Sequence, residues 1–277
     1  KQVVDGRQRI SAILDFLEGK FKLNNLRILK QFNGCCFADL DLKQQGVIED
    51  FQLLFYIIQP PTPERVKYDI FDRVNRGGTP LNKQEMRNAL YRGRCTRMLD
   101  KLCCSPEFLI ATGRSINKER MKDQYVVLRA IAFLMLHRGE FKDIPALQYR
   151  GDIDDFLARF MVYVNDNAPE KLIVDYENLF IRCMQISYDL LGENGFRFSG
   201  NGIRRPINMP LFEALSYLFS FVPEKIDYTW ASRLILDIES VKEEFDDSRY
   251  FSGNIDSTTS VSFRFDRMDK IINRIQL

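Results

Sequence analysis

Hydrophobic side chains recur with helical spacing through most of the sequence. Near the N-terminus, apolar residues follow one another at i, i+3, i+4 and i+7 as Ile10, Ile13, Leu14 and Leu17, and Gly19 ends the pattern. The same period predicts further helices over residues 94–104, 117–136, 152–166, 169–191, 208–221, 229–245 and 258–275. The pattern therefore predicts a C-terminal part that is almost entirely helical.

Residues 51–59 depart from this pattern. Their run of aromatic and β-branched side chains is too short for a core helix and stops at Pro60, and it predicts a β-strand. Val3 and Val4 predict the end of a second strand, directly before Asp5. The sequence therefore predicts an α+β protein. A mixed α/β region covers residues 1–110, and a helical region at residues 111–277 packs against it as one unit.

The amino-acid composition excludes several classes of protein. The chain is 45% hydrophobic and 28% charged, which suits a globular core, and no apolar run approaches the roughly 18 residues of a membrane span. The six cysteines form no Cys-x-x-Cys pair, so we expect small core side chains, no metal site and a reducing cytoplasm. The only histidine, His137, ends an apolar helical run and is expected to be structural or C-capping. One histidine excludes a zinc protease or a histidine-rich metal centre.

Positive charge is concentrated in one segment. Residues 83–122 contain ten basic and four acidic residues, in a chain whose net charge is only +2. Such a segment attracts phosphate, although a solvated helical face explains the pattern equally well. The last predicted helix carries a second basic set, Arg264, Arg267, Lys270 and Arg274, which we expect to lie off its apolar stripe. That set either follows a nucleic-acid backbone or is a solvated face.

The first candidate site is the run Asp5, Gly6, Arg7, Gln8 and Arg9, where a predicted strand turns at glycine into a helix. The first amides of a helix lack internal partners and carry the positive end of its dipole, which suits a phosphate. The two arginines add donors for bidentate hydrogen bonds, and Asp5 is suited to orienting a water or holding a metal ion. Alternatively, Asp5 only caps the helix and pairs with Arg9.

The second candidate site follows a helix predicted over residues 64–75. Asn75, Arg76, Gly77 and Gly78 form a polar loop whose two glycines allow a ligand to approach the backbone closely. A plain helix stop is the alternative. Asn82 and Glu85 then predict a capping box at the start of the next helix. Arg87 and Asn88 lie one turn past that cap and are expected to face the same cleft.

Read together, these segments resemble a known family. The strings VVDGRQRISAILDFLEGKFKL, IFDRVNRGGTPLNKQEMRNALYRG and RMKDQYVVLRAIAF occur in its order. They resemble domain-of-unknown-function family 262, the N-terminal domain of GmrSD-type restriction enzymes. That family carries a DGQQR motif and is similar to the wider ParB/sulfiredoxin superfamily. The resemblance extends from residue 2 to about residue 221 and implies a ParB-like N-terminal fold. It also implies a further segment upstream of Lys1.

The resemblance implies roles for particular residues. Nucleotide hydrolysis would fall on Asp5, Gln8 and Arg9. Nucleotide and phosphate binding would fall on Gly6, Arg7, Asn75, Arg76, Gly77, Gly78, Arg87 and Asn88. Tyr125 stands where the family pattern leads us to expect glutamate, which favours binding without turnover. No histidine pair supplies the HNH nuclease half of longer relatives, so the chain resembles stand-alone members.

The expected function is a nucleotide-binding component of a bacterial DNA restriction or anti-phage defence system, with NTP hydrolysis left open. Its expected partners are a nucleoside triphosphate with Mg²⁺, DNA, a partner nuclease subunit or a second copy of the chain, and no membrane. The alternative is a non-enzymatic DNA-binding or sensor module of such a system, which uses the basic segment at residues 83–122 and predicts a steep salt dependence of DNA affinity. A direct nuclease is disfavoured.

Overall fold

The structure is a computed structural model. It describes residues 6–57, 66, 70, 73, 81–199, 204–223, 225 and 227–275. The chain divides into two compact units, Lys1–Pro80 and Leu81–Leu277. The sequence division predicted at residue 110 stays a prediction, and that position falls within a helix of the second unit.

The first unit contains two described helices, α1 (Arg7–Leu17) and α2 (Leu42–Glu49). Its buried apolar side chains include Phe16 and Leu40. The ring of Phe16 lies 5.6 Å from that of Phe21 and 5.9 Å from that of Phe37. These aromatic contacts anchor α1 to the irregular segment that follows it.

The second unit contains nine helices among the residues that the structure describes. They are α3 (Lys83–Leu90), α4 (Arg94–Cys103), α5 (Pro106–Ala111), α6 (Lys122–His137), α7 (Ile153–Asp166), α8 (Glu170–Leu191), α9 (Met209–Phe219), α10 (Tyr228–Asp246) and α11 (Thr258–Ile275). The predicted helical C-terminal part is confirmed. None of these helices combines the length and the apolar character that crossing a membrane requires.

Helices α6 and α9 form the centre of the second unit. They pack against each other, while α4 and α7 cover α6, and α8 and α11 cover α9. Every residue of α9 from Pro210 to Phe219 is buried, as are most residues of α6. Three of the expected core cysteines, Cys95, Cys103 and Cys183, are buried among these helices, and all six cysteines are free.

The predicted α+β fold is wrong, because the described residues contain helices and no β-strand. Residues 51–57, the described part of the predicted strand, adopt no regular secondary structure, and their side chains are exposed. A strand needs a neighbour to pair its backbone groups, and none pairs with this segment within the described ranges. The strand predicted at Val3 and Val4 lies outside the described residues. The protein is therefore all-α in the part described.

Candidate functional site

The predicted helix after the DG motif begins where expected. Gly6 has φ of +84°, a left-handed conformation that favours glycine, and α1 starts at the next residue. No described side chain caps this helix end, and the first turn of α1 carries no acidic residue. The guanidinium of Arg9 folds back toward Gly6, with Nη2 3.7 Å from the position that a Cβ on that glycine would occupy. The turn at Gly6, the start of α1 and the guanidinium of Arg9 therefore lie close together.

Several predicted site residues lie outside the described part of the chain. These are Asp5 of the motif and the whole polar loop of Asn75, Arg76, Gly77 and Gly78. The side chain of Arg7 is also outside it, whereas Gln8 and Arg9 are exposed on α1. The predicted cradle of the glycine loop thus stays a prediction.

Helix α3, which carries Arg87, is fixed at its start by Asn82. The Oδ1 atom of Asn82 accepts hydrogen bonds from the amides of Gln84 at 2.8 Å and Glu85 at 2.9 Å. The Asn82 amide donates in return to Glu85 Oε2 at 2.7 Å, so the predicted capping box is confirmed. The Nδ2 of Asn82 also donates to the carbonyl of Arg120 at 2.6 Å, which ties α3 to the segment before α6.

Replacing Asn82 with Ala is expected to lower the free energy of unfolding by about 1–2 kcal/mol, because two helix amides lose their acceptor. Asn82→Asp keeps that acceptor and loses only the donor to Arg120, so it should cost less. Urea denaturation of both variants measures the difference. Equal losses in the two variants would show that the cap contributes nothing beyond the link to Arg120.

Arg87 is fully buried and lies on the wall of a cleft. Its Nη1 donates to Asp154 Oδ1 at 2.8 Å, and its Nε donates to Gln84 Oε1 at 2.9 Å. Its Nη2 is buried and has no hydrogen-bond partner within the described part of the chain. The guanidinium carbon stands 5.2 Å from the ring centroid of Tyr125, which supports it by a cation–π contact. Two hydrogen bonds and the ring of Tyr125 therefore hold Arg87, and its Nη2 makes no hydrogen bond with the described residues.

The cleft has a volume of 510 Å³, and its lining carries more basic than acidic side chains. Its cations are Lys83, Arg87, Arg120 and Lys122, against one lining carboxylate, Glu119. Arg120 has φ of +55° and Met121 has φ of +58°. Left-handed backbone is unfavourable at such side chains, so the tertiary structure imposes this bend between α3 and α6. The bend brings the two cations of residues 120 and 122 to the cleft.

Two carboxylates behind the wall hold the cations in place. Asp154 also accepts a hydrogen bond from Lys83 Nζ, which raises the pKa of that lysine. Burial raises the pKa of Asp154, but the hydrogen bonds from Lys83 and Arg87 outweigh burial, and the pKa is lower than its usual value. Arg120 donates to Glu85 at 3.0 Å and lowers the pKa of that carboxyl. All of these groups therefore stay charged at neutral pH.

Asn88 is held by two side-chain amides. Its Oδ1 accepts from Gln84 Nε2 at 2.8 Å, and its Nδ2 donates to Gln124. Arg87 lines the cleft and Asn88 does not, and the binding role predicted for both stays a prediction. Asp154, which joins Arg87 across 67 positions of sequence, was not predicted. The excess of basic residues at 83–122 was the available signal for Lys83, Arg120 and Lys122.

The basic stripe predicted on the last helix is wrong at Arg264. This residue is fully buried and donates to the buried Glu213 at 2.6 Å. Arg267 pairs with Glu244, and Arg274 pairs with Asp237 at 3.1 Å. Three of the four cations of α11 are therefore paired with carboxylates of this chain.

The described fold and site define a class of protein. It is helical in the part described, and a buried arginine lines a basic cleft on it. Residues 1–92 match the family of the GmrSD restriction endonuclease N-terminal domain. This segment includes the DG motif, Asn82 and Arg87, and the resemblance drawn from the sequence is confirmed for it. The match points to a component of a restriction or defence system. Neither a curated protein nor a solved structure matches the chain.

Proposed function

We propose that the protein is the nucleotide-binding component of a bacterial DNA restriction or anti-phage defence system. The family match over residues 1–92 supports the system. The observation that supports nucleotide binding is Arg87, a fully buried residue of the cleft lining whose Nη2 has no hydrogen-bond partner in the described part of the chain. Buried polar atoms are usually hydrogen-bonded, and an unused donor at a cleft wall suits an anionic ligand.

A phosphate group fits the chemistry of this cleft. Arginine matches phosphate by charge-assisted hydrogen bonds, and Lys83, Arg120 and Lys122 supply further positive charge. Asp154 keeps Arg87 in position before a ligand arrives. The arginine side chain therefore loses little conformational entropy when a ligand binds. The start of α1, which no described side chain caps, is a separate anion-attracting feature, and the family motif associates it with nucleotide.

Binding is proposed as the activity of the cleft, and hydrolysis is not. Two nearby carboxylates, Glu85 and Asp154, are engaged with cations, and the lining Glu119 accepts a hydrogen bond from Asn117 at 2.9 Å. The position where the family pattern leads us to expect glutamate holds Tyr125. Any turnover is therefore assigned to Asp5, Gln8 and Arg9. In the part of the chain that the structure describes, no cluster of three metal-ligating side chains occurs. Mg²⁺ accordingly enters the proposal only as the counter-ion of the triphosphate.

The test is a thermal titration with ATP and with GTP, each with and without Mg²⁺. A ligand that binds only the folded protein adds about 2.7 kcal/mol of stability at a concentration of 100 times Kd, and raises Tm by several degrees. Lys122→Gln should reduce that shift, because it removes a cation from the cleft. Arg9→Ala, in the first unit, tests the DG turn separately. Lys122 is exposed and makes no ion pair with the described residues, so its removal leaves the wall intact. Arg233→Gln, an exposed arginine on α10, is the matched control.

Three outcomes separate the hypotheses. A shift that Lys122→Gln weakens and Arg233→Gln leaves unchanged supports the cleft. A shift lost only in Arg9→Ala would move the nucleotide to the DG turn. No shift with either nucleotide, together with duplex DNA binding that falls steeply with salt, would replace the proposal with the DNA-binding alternative.

A further inference from the structure

A second basic cleft lies elsewhere in the second unit, beyond the C-terminal end of α8. It has a volume of 610 Å³ and is bounded on one side by α10. Its cations are Arg197, Arg204, Arg205 and Lys242, and its carboxylates are Glu193 and Glu239. None of these residues belongs to the segment that matches the GmrSD N-terminal domain. The cleft is therefore independent of the nucleotide proposal.

Arg197 is the unusual residue of this cleft, because it is buried without a carboxylate. Only 4% of its surface is exposed. Its Nη2 donates to the carbonyl of Thr112 at 3.2 Å and to the hydroxyl of Ser115, and its Nε donates to the carbonyl of Glu193 at 3.3 Å. Its Nη1 donates to the carbonyl of Arg205. Every acceptor is neutral, and no ion pair joins Arg197 to another described residue.

A buried cation without a counter-charge is costly. The carbonyl of Thr112 lies at the C-terminal end of α5, where the helix dipole adds partial negative charge, and that of Glu193 lies in the 3-10 helix Gly192–Asn194, which follows α8. These partial charges do not cancel a full positive charge. Burial and the neighbouring guanidinium of Arg204 lower the pKa of Arg197, and the nearby carboxylate of Glu193 offsets this only in part.

Lys242 brings a second buried cation to the same cleft. Its side chain is 5% exposed and donates to Glu239 at 2.9 Å, one turn earlier on α10. Two arginines complete the wall nearer to solvent. Arg204 pairs with Glu193 at 2.7 Å, and Arg205 pairs with Asp246 on α10. Those carboxylates hold the two guanidinium groups at the cleft.

We infer that this cleft binds a phosphate group. The ligand supplies the negative charge that Arg197 lacks, and the forked guanidinium groups of Arg204 and Arg205 suit its oxygens. The volume exceeds that of one phosphate, so a polyphosphate or one phosphate of a longer chain fits as well. Occupancy adds negative charge beside Arg197 without displacing a hydrogen bond of that residue.

Inorganic pyrophosphate is the probe, titrated at low ionic strength by isothermal calorimetry into the full chain. Arg204→Gln should weaken its binding about tenfold, because a charge-assisted hydrogen bond is lost. Glu193→Gln should strengthen binding by roughly two- to fivefold, because it removes a nearby negative charge and releases Arg204. Opposite effects from the two partners of one ion pair are not expected from a general loss of stability. Arg233→Gln on α10, which removes an exposed cation remote from the cleft lining, should leave the affinity unchanged.

Competition then identifies the source of the phosphate. Displacement of pyrophosphate by a short DNA duplex, in wild type and Lys122→Gln alike, assigns the cleft to backbone phosphates. Displacement by tripolyphosphate alone assigns it to a free polyphosphate. The inference is overturned if pyrophosphate does not bind, or if Arg204→Gln and Glu193→Gln both leave its affinity unchanged. Loss of binding in Lys122→Gln but not in Arg204→Gln would likewise overturn it and would instead support the first cleft.

Discussion

Glu213→Gln is expected to lower the free energy of unfolding by about 3–5 kcal/mol. Glu213 lies on α9, is fully buried, and accepts hydrogen bonds from two buried guanidinium groups, those of Arg129 and Arg264. Glutamine preserves the shape of the side chain but removes its charge. Arg129 would keep Asp256, at 2.6 Å, whereas Arg264 would keep only the carbonyl of Ile255 at 2.7 Å. A buried cation would then lack a counter-charge at the centre of the second unit.

Urea denaturation at neutral pH measures this loss. The matched control is Glu170→Gln, which removes the same charge from an exposed ion pair with Arg94. Exposed pairs contribute at most about 1 kcal/mol, so the control should unfold close to wild type. Similar losses in the two variants would show that Glu213 does not compensate buried charge. A folded Glu213→Gln protein with unchanged stability would contradict the expected role of the cluster outright.

Helix positions could be read from the sequence where an apolar stripe faces a core. Helix α8 was predicted over residues 169–191 and is observed as Glu170–Leu191, and α11 was predicted over residues 258–275 and is observed as Thr258–Ile275. Helix α2 was missed, since it buries no residue and its apolar positions form no stripe. Its capping box of Asp41 and Gln44 was the signal available in the sequence.

Arg264 shows why a charge can be misplaced even where the helix is predicted correctly. It stands three residues after Val261 and one before Phe265, so helical spacing puts it on the buried stripe. The charge of Arg264 led us to expect a position on the surface instead. Burial became favourable only through Glu213, which lies 51 positions away in sequence. The tertiary structure determines which residue pairs with a buried charge, and the periodicity of the sequence alone does not predict it.

Tertiary contacts also decided the outcome for the strand predicted at residues 51–59 and for the cleft around Arg87. Residues 51–59 have strand-like side chains, but a strand also requires a neighbouring strand, and local composition does not specify one. Arg87 was identified because the family motif and the basic segment both include it. Its partner Asp154 and its ring contact with Tyr125 depend on how α3, α6 and α7 pack, and they could not be predicted from spacing.

Acidification from pH 6.5 toward pH 3 is expected to destabilise the protein through its only histidine. Burial, together with the charge of Arg264, lowers the pKa of His137 to about 3, against an ordinary value near 6.5 in the unfolded chain. The ring is stacked 3.6 Å from that of Phe265, and its Nε2 is buried without a hydrogen-bond partner in the described part of the chain. The unfolded chain therefore binds a proton in this range that the folded protein does not.

The sign of the effect follows from that difference. The contribution of His137 is complete above pH 6.5 and decreases by about 1.4 kcal/mol per pH unit below it, which amounts to about 3 kcal/mol at pH 4.5. Carboxylates also titrate there, so the informative quantity is the difference between wild type and His137→Phe, which keeps an aromatic ring stacked on Phe265. That difference should shift in favour of the variant by about 3 kcal/mol between pH 7 and pH 4.5.

NMR of the folded protein checks the cause directly, because a single histidine gives a single set of ring signals. Those signals should not titrate between pH 5 and pH 8. A midpoint near 6.5 would mean that the ring is solvated, and the pH dependence of stability would then have to come from the carboxylates. A flat NMR titration combined with equal pH dependence in wild type and His137→Phe would also contradict the prediction, since a buried neutral histidine must be protonated when the chain unfolds in acid.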